Sequence, residues 1–172
     1  MKECALVIVK PDGISKGLVG HIITKFFQTD LEIIATKILK ASKELAEEHY
    51  KHIKGKPFYN EVIEYLLGNY HNQQRVMVFV YSGRNAIRKC RDLAGDTNPE
   101  MAIPTSIRGS LGRITAKGAF ENVIHVSSDI SEAEREIKLW FNPGEIDAKL
   151  YPTKEIAVSG YRKKVWLDKN RK

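Results

Sequence analysis

The apolar run Ala5-Leu6-Val7-Ile8-Val9, stopped abruptly by Lys10-Pro11-Asp12-Gly13, constrains this chain more than any other stretch. Apolar side chains at successive positions suit a buried strand, and a proline that cannot donate to a ladder followed by a glycine suits a turn that ends it. Cys4 to Val9 therefore reads as a buried strand, with Lys10 at its end.

Other segments take their places around that strand. Leu18, Ile22, Ile23, Phe26 and Phe27 share one stripe at helical spacing, and Leu31 to Leu39 reads as a second strand. Ser42 is placed to open a helix carrying Leu45, Ala46, His49 and Tyr50, and Pro57 suits the first turn of another with Val62, Ile63, Tyr65 and Leu66. Phe58 and Tyr59 then lie at the exposed beginning of that helix. After a polar loop from Gly68 to Gln74, Val76 to Tyr81 reads as a third strand and Asn85 to Leu93 as a helix ended by Gly95. Asp96 to Glu121 shows no sustained period and reads as a functional loop. Asn122 to Val126 is the fourth strand, and Ser131 with Glu134 makes a capping box for a final helix. Setting aside the helical pair after the second strand leaves the order β-α-β-β-α-β. The expected class is α+β, a ferredoxin-like four-stranded antiparallel sheet covered by helices.

With 172 residues, 42% of them hydrophobic, the chain suits a single domain over residues 1–172 that needs no metal or disulfide to hold its core. Residues 161–172 read as a solvated basic tail, with six basic residues after Tyr161 against one acid. Cys4 and Cys90 belong to no CxxC pair, which points to a reducing compartment. No apolar run is long enough for a signal sequence or a membrane span, so a soluble cytoplasmic protein without a membrane partner is expected. The net charge of +7 implies a polyanionic partner, whether nucleic acid, a phospholipid surface or a phosphorylated small molecule. There is no glycine-rich Rossmann turn or Walker sequence, so any nucleotide is held another way.

One candidate for chemistry is His125, in Asn122-Val123-Ile124-His125-Val126-Ser127-Ser128-Asp129. Neutral imidazole is a good nucleophile near pH 7, and one that attacks phosphorus forms a covalent intermediate that divides a hard transfer into two easier ones. Taken alone, a histidine in an apolar strand is more often a packed core residue. Likewise Lys10 alone is a strand-end lysine, Phe58 a core residue, Arg91 and Arg108 surface arginines, Thr97 turn chemistry and Glu136 a helix-face acid.

Their joint occurrence reverses those odds. Val9-Lys10-Pro11-Asp12-Gly13, Gly17-Leu18-Val19-Gly20, His49-Tyr50, Lys56-Pro57-Phe58-Tyr59, Gly95-Asp96-Thr97-Asn98-Pro99, Ser106-Ile107-Arg108-Gly109, Asn122-Val123-Ile124-His125 and Glu136-Ile137-Lys138-Leu139-Trp140-Phe141 appear in one order. Together they resemble the nucleoside diphosphate kinase family. That resemblance implies transfer of the terminal phosphoryl group from a nucleoside triphosphate to a nucleoside diphosphate, in two half-reactions through a phosphohistidine at His125. By the same resemblance Lys10 reaches the terminal phosphate and the ribose 3′-hydroxyl, and Arg91, Thr97 and Arg108 bind phosphate. Asn122 bonds the 3′-hydroxyl and Phe58 stacks on the base. Glu136 orients the histidine and Tyr50 supports it. Mg²⁺ is implied as a cofactor held through nucleotide phosphates and waters, with no protein metal site, and a homo-oligomer is implied as the assembly.

Three departures stand out. The segments 109–121 and 68–74 are longer than in the common short form of the family, Val126 replaces a small residue after the histidine, and the basic tail extends past the usual terminus. The second wall of a base site is therefore not assigned by resemblance. The basic tail and loop also admit nucleic acid as a secondary partner, and a nucleotide- or nucleic-acid-binding module on the same fold is the alternative to an enzyme.

Overall fold

The computed structural model describes residues 2–116, 118–158 and 160–167. Along the chain, β1 (Lys2–Val9) leads to α1 (Pro11–Ser15), α2 (Val19–Phe27), β2 (Glu32–Lys40), α3 (Lys43–His49), α4 (Tyr59–Leu67), β3 (Arg75–Arg84) and α5 (Ala86–Ala94). Then come α6 (Ile107–Leu111), the short strands β4 (Arg113–Ile114) and β5 (Phe120–Glu121), β6 (Ile124–Val126), α7 (Ile130–Trp140), β7 (Thr153–Val158) and β8 (Tyr161–Trp166). Single 3-10 turns lie at Lys51–Ile53 and Pro143–Glu145.

The main sheet has the order β2-β3-β1-β6, and every pair in it is antiparallel. This is the expected ferredoxin-like α+β arrangement, and β1 lies inside it with helices on both sides. Alternation along a strand sends Ala5, Val7 and Val9 toward Ile22 and Phe26 of α2 and Ile87 and Cys90 of α5. Leu6 and Ile8 point the other way, among Ala46 of α3, Leu66 of α4 and Ile137 and Trp140 of α7. Each fully buried aliphatic side chain contributes about 1.5–3 kcal/mol, so an uninterrupted apolar run is stable only where both faces are covered. The β1–β6 register sets Ile8 opposite His125, which puts the histidine on the α3, α4 and α7 side.

Several boundaries differ from those the sequence suggests. Pro11 starts a short helix instead of closing a plain turn, because a residue in the first helical turn needs no N–H partner. Pro57 lies before α4, whose N-cap is Phe58. The final helix begins earlier than Ser131. Asp129, extended at φ −156°, accepts the Glu132 N–H at 2.9 Å and caps it, while Glu134 pairs with Lys138. The capping box that does form joins Asn142 and Glu145. The fourth strand starts at Ile124 because Val123 has φ +55°, which breaks extended backbone.

The segment 96–121 is more ordered than its composition suggests. Ser106 caps α6 by accepting the Gly109 N–H at 3.1 Å, and β4 pairs with β5. Part of the expected solvated tail is strand β8, paired with β7, and its Trp166 donates to the Phe141 carbonyl at 2.7 Å. The basic residues from 168 onward lie outside the described residues. Among the described residues no helix is long and apolar enough to cross a membrane.

Candidate active site

The site begins where β1 ends. Lys10 is buried, and its Nζ donates to Asn122 Oδ1 at 2.7 Å; the Asn122 amide in turn donates to the Thr97 carbonyl at 2.9 Å. Asn122 is held in place by the residue after it. Val123 carries a β-branched side chain at φ +55°, a conformation that costs on the order of 1–3 kcal/mol. Two bonds secure it: its N–H donates to Asp12 Oδ2 at 3.0 Å, and its carbonyl accepts the Lys10 N–H at 2.9 Å. The strain re-aims the chain, so that Asn122 faces the site just before β6 resumes and presents His125.

Arg108, on α6, spans the same region. Its two terminal nitrogens donate to the carbonyls of Gly95 at 2.8 Å and Ile124 at 3.1 Å, while Nε is buried with no hydrogen-bond partner among the described residues. Gly95 has φ +80°, and a Cβ there would sit 2.2 Å from Ser106 Oγ, so only glycine lets α5 end this close to α6. Burial pulls the Lys10 ammonium down to about 8, with Arg108 adding to the effect and Asp12 opposing it. Burial likewise lowers Arg108 to about 10. Both remain cationic at neutral pH, and crowding two desolvated cations together favours an anion between them.

His125 is held from behind. Its Nε2 lies 2.8 Å from Glu136 Oε1, and Ser127 Oγ donates to Glu136 Oε2 at 2.5 Å. Burial alone would push the Glu136 carboxyl up, but the His125 ring, Ser127 and Arg135 together bring it below its ordinary value. An ionised carboxylate at that distance places the imidazole proton on Nε2 and leaves Nδ1 with a lone pair. His49 packs edge-on against His125, with ring centroids 4.4 Å apart, and its Nδ1 accepts from Trp140 Nε1 at 3.1 Å. Burial, then His125, Arg135 and Lys10, hold His49 well below the usual histidine range, so it is a neutral packing partner. Tyr50 is also buried and its hydroxyl is pushed up by burial, which keeps it protonated.

Lys10, Tyr50, Phe58, Arg91, Thr97, Arg108, Asn122 and His125 line one cleft of about 620 Å³, with Glu136 behind it. All nine residues singled out in the sequence therefore meet. The chain separations are large: 112 positions divide Lys10 from Asn122. Sequence reasoning did not single out Ser127, Asp12 or Phe120, and it used His49 only as part of a motif. A serine two residues past the histidine was visible as a candidate partner, whereas Asp12 acquires its place from a contact far along the chain, at Val123.

Comparisons with known proteins place the chain in a family. The Nucleoside diphosphate kinase family model matches residues 3–146. A nucleoside diphosphate kinase of Pyrococcus furiosus is 43% identical over 144 residues, covering 84% of this chain and 86% of that protein. One from Staphylococcus aureus is 37% identical over 150 residues, 87% of this chain and 95% of that one. Among solved structures, a transition state mimic of the Borrelia burgdorferi enzyme with bound vanadate and ADP superposes with a TM-score of 0.76 at 33% identity, covering 84% of this chain and 90% of that one. A Halobacterium salinarum nucleoside diphosphate kinase in complex with CDP gives a TM-score of 0.76 at 34% identity, over 85% of this chain and 91% of that one.

Proposed function

The chain belongs to the nucleoside diphosphate kinase family, and from that premise we propose that it carries a terminal phosphoryl group from a nucleoside triphosphate to a nucleoside diphosphate through a phosphohistidine on His125. The observation that carries this reading is the convergence of Lys10, Arg91, Arg108 and Asn122 on one cleft with an imidazole whose Nε2 is tied to a buried carboxylate.

In the first half-reaction the His125 Nδ1 lone pair attacks the terminal phosphorus. The bond to the bridging oxygen breaks, and the nucleoside diphosphate leaves with the electron pair. In the second, a terminal oxygen of another diphosphate attacks phosphorus and the P–N bond breaks, which restores the neutral ring. Phosphoryl transfer asks the protein mainly for alignment and for positive groups around the equatorial oxygens, which Lys10, Arg91 and Arg108 supply. Glu136 offsets the charge on the phosphorylated ring. Asn122 and Thr97 orient the nucleotide, Phe58 offers a face to the base, and Tyr50 packs beside the histidine.

The donor set fits Mg²⁺ that arrives on the nucleotide. Among the described residues Glu61 is the one carboxylate lining the cleft, and Mg²⁺ takes octahedral oxygen ligands. His49, His125 and Glu136 lie close enough to hold a metal, but both imidazoles are already hydrogen-bonded and nitrogen donors suit other metals. Bound through the phosphates, Mg²⁺ would neutralise charge there while Lys10 and the arginines hold the remainder.

A homo-oligomer belongs to this reading through family membership, with Phe27, Ile38 and Met101 among the large apolar side chains left exposed on the single chain. Exposed Arg162, Lys163 and Lys164 on β8 keep nucleic acid as a secondary partner, in which case affinity falls steeply with salt.

Incubation with γ-labelled ATP tests the central reading. An acid-labile, alkali-stable phosphoprotein that His125→Ala abolishes is expected, and a serine-linked label would overturn it.

A further inference from the structure

Residues 147–172 follow the family match, and they carry eight basic side chains against three acidic ones, a net +5 of the chain's +7. Residues 1–146 hold only the remaining +2. Among the described residues none of this added segment lines the cleft, so the excess charge serves something other than the bound nucleotide. Four of its basic residues, Lys154, Arg162, Lys163 and Lys164, lie exposed on the ribbon of β7 and β8.

A two-stranded ribbon is only marginally stable alone, and this one is anchored at its base. Besides the Trp166 bond to Phe141, the Trp166 ring meets Tyr151 edge-on at 5.8 Å and the Leu167 N–H donates to the Pro152 carbonyl at 2.9 Å. The tip stands clear of the body. Gly160, at φ +91°, bends the chain there, and a Cβ on it would meet nothing within 4 Å.

Directly opposed residues of an antiparallel pair share a face. The register therefore sets Thr153 with Trp166, Glu155 with Lys164 and Ala157 with Arg162 on the anchored face. Glu155, the ribbon's only carboxylate, pairs there with Arg162 at 3.6 Å. The other face carries Val158 with Tyr161, Ile156 with Lys163 and Lys154 with Val165. It holds two cations, no acid, and a Tyr161 ring that is 60% exposed.

We infer that this face of the ribbon binds single-stranded nucleic acid, with an unpaired base stacked on Tyr161 and flanking phosphates held by Lys154 and Lys163. A bilayer surface asks only for clustered cations, whereas a ring set between lysines along a strand matches a polymer that alternates flat bases with anionic phosphates. Duplex DNA keeps its bases stacked and leaves Tyr161 without a role. The inference deepens the secondary-partner reading above and is independent of His125.

Binding of the full chain to a labelled oligodeoxythymidine of about 20 nucleotides, read by fluorescence anisotropy, tests it. Tyr161→Ala is expected to weaken the single strand about tenfold and a duplex of the same length within about twofold, while Tyr161→Phe restores the single strand. Lys154→Ala with Lys163→Ala should reduce the slope of log affinity against log salt by about 1.4. Equal losses for single strand and duplex, displacement of the oligonucleotide by ADP, or binding confined to phosphatidylserine vesicles overturns the inference. If the oligonucleotide binds undiminished after all three changes, nucleic acid remains a partner and the ribbon site falls. If phosphate moves through His125 while no oligonucleotide binds, the kinase reading stands and both the site and the secondary partner fall.

Discussion

The inner and outer ends of the cleft are built in opposite ways. At the inner end Lys10, Arg108, Asn122 and Glu136 are buried and nearly every polar atom is tied to a backbone carbonyl, an amide or another side chain. At the outer end Phe58 and Phe120 stand about half in water, and their rings have no polar group to tie. The difference follows from what each end must recognise. Charge developing on a phosphoryl group is stabilised only by dipoles and cations fixed in advance, whereas a base needs no more than flat apolar faces.

The largest effect that would break this contrast is at the nucleophile. His125→Ala should lower transfer on the order of 10⁴-fold or more and remove the phosphoprotein, since no neighbouring group substitutes for a covalent intermediate. Arg108→Met comes next, with kcat expected to fall about 10²–10³-fold in steady-state assays; a loss below tenfold would show that the inner end is not held in readiness.

The pH profile sharpens the same point. With Lys10 near 8 in the free protein, kcat/KM for a nucleoside diphosphate should fall as pH rises through about 8, because the ammonium loses its proton and an anion loses its counter-charge. In Lys10→Arg that fall should move to higher pH. At the outer end the effect is smaller and of another kind: Phe58→Ala should raise KM about tenfold with kcat little changed. Smallest is Trp166→Ala on β8, which does not line the cleft. It should cost about 1–2 kcal/mol in urea unfolding through the lost hydrogen bond to Phe141 and the lost packing on Tyr151, with transfer unaltered.

Much of the fold was legible in the sequence because its signals are local. The apolar run of β1, the stripe of α2 and the Ser42 cap of α3, whose Oγ accepts the Leu45 N–H at 3.1 Å, depend only on neighbouring residues. The misreadings were also local competitions. Asp129 and Ser131 are both good caps, and Asp129 prevailed; Pro11 suits a turn and a first helical turn equally. Ser106 as a cap for α6 and the pairing of β4 with β5 went unread because five- and two-residue elements carry no period.

What the sequence determined by itself is the order of the four main-sheet strands and the longer helices, the two-faced burial of β1 and the kinds of side chain available for handling phosphate. Tertiary structure alone decided that Glu136 meets the Nε2 of His125, that Val123 takes a left-handed turn held by Asp12, and that His71, Lys16 and Arg113 gather on Glu121. The physical reason is range. Periodicity and capping act over a few residues, whereas these contacts exist only because antiparallel pairing of β1 with β6 and packing of α7 on the sheet bring distant residues within a hydrogen bond's reach.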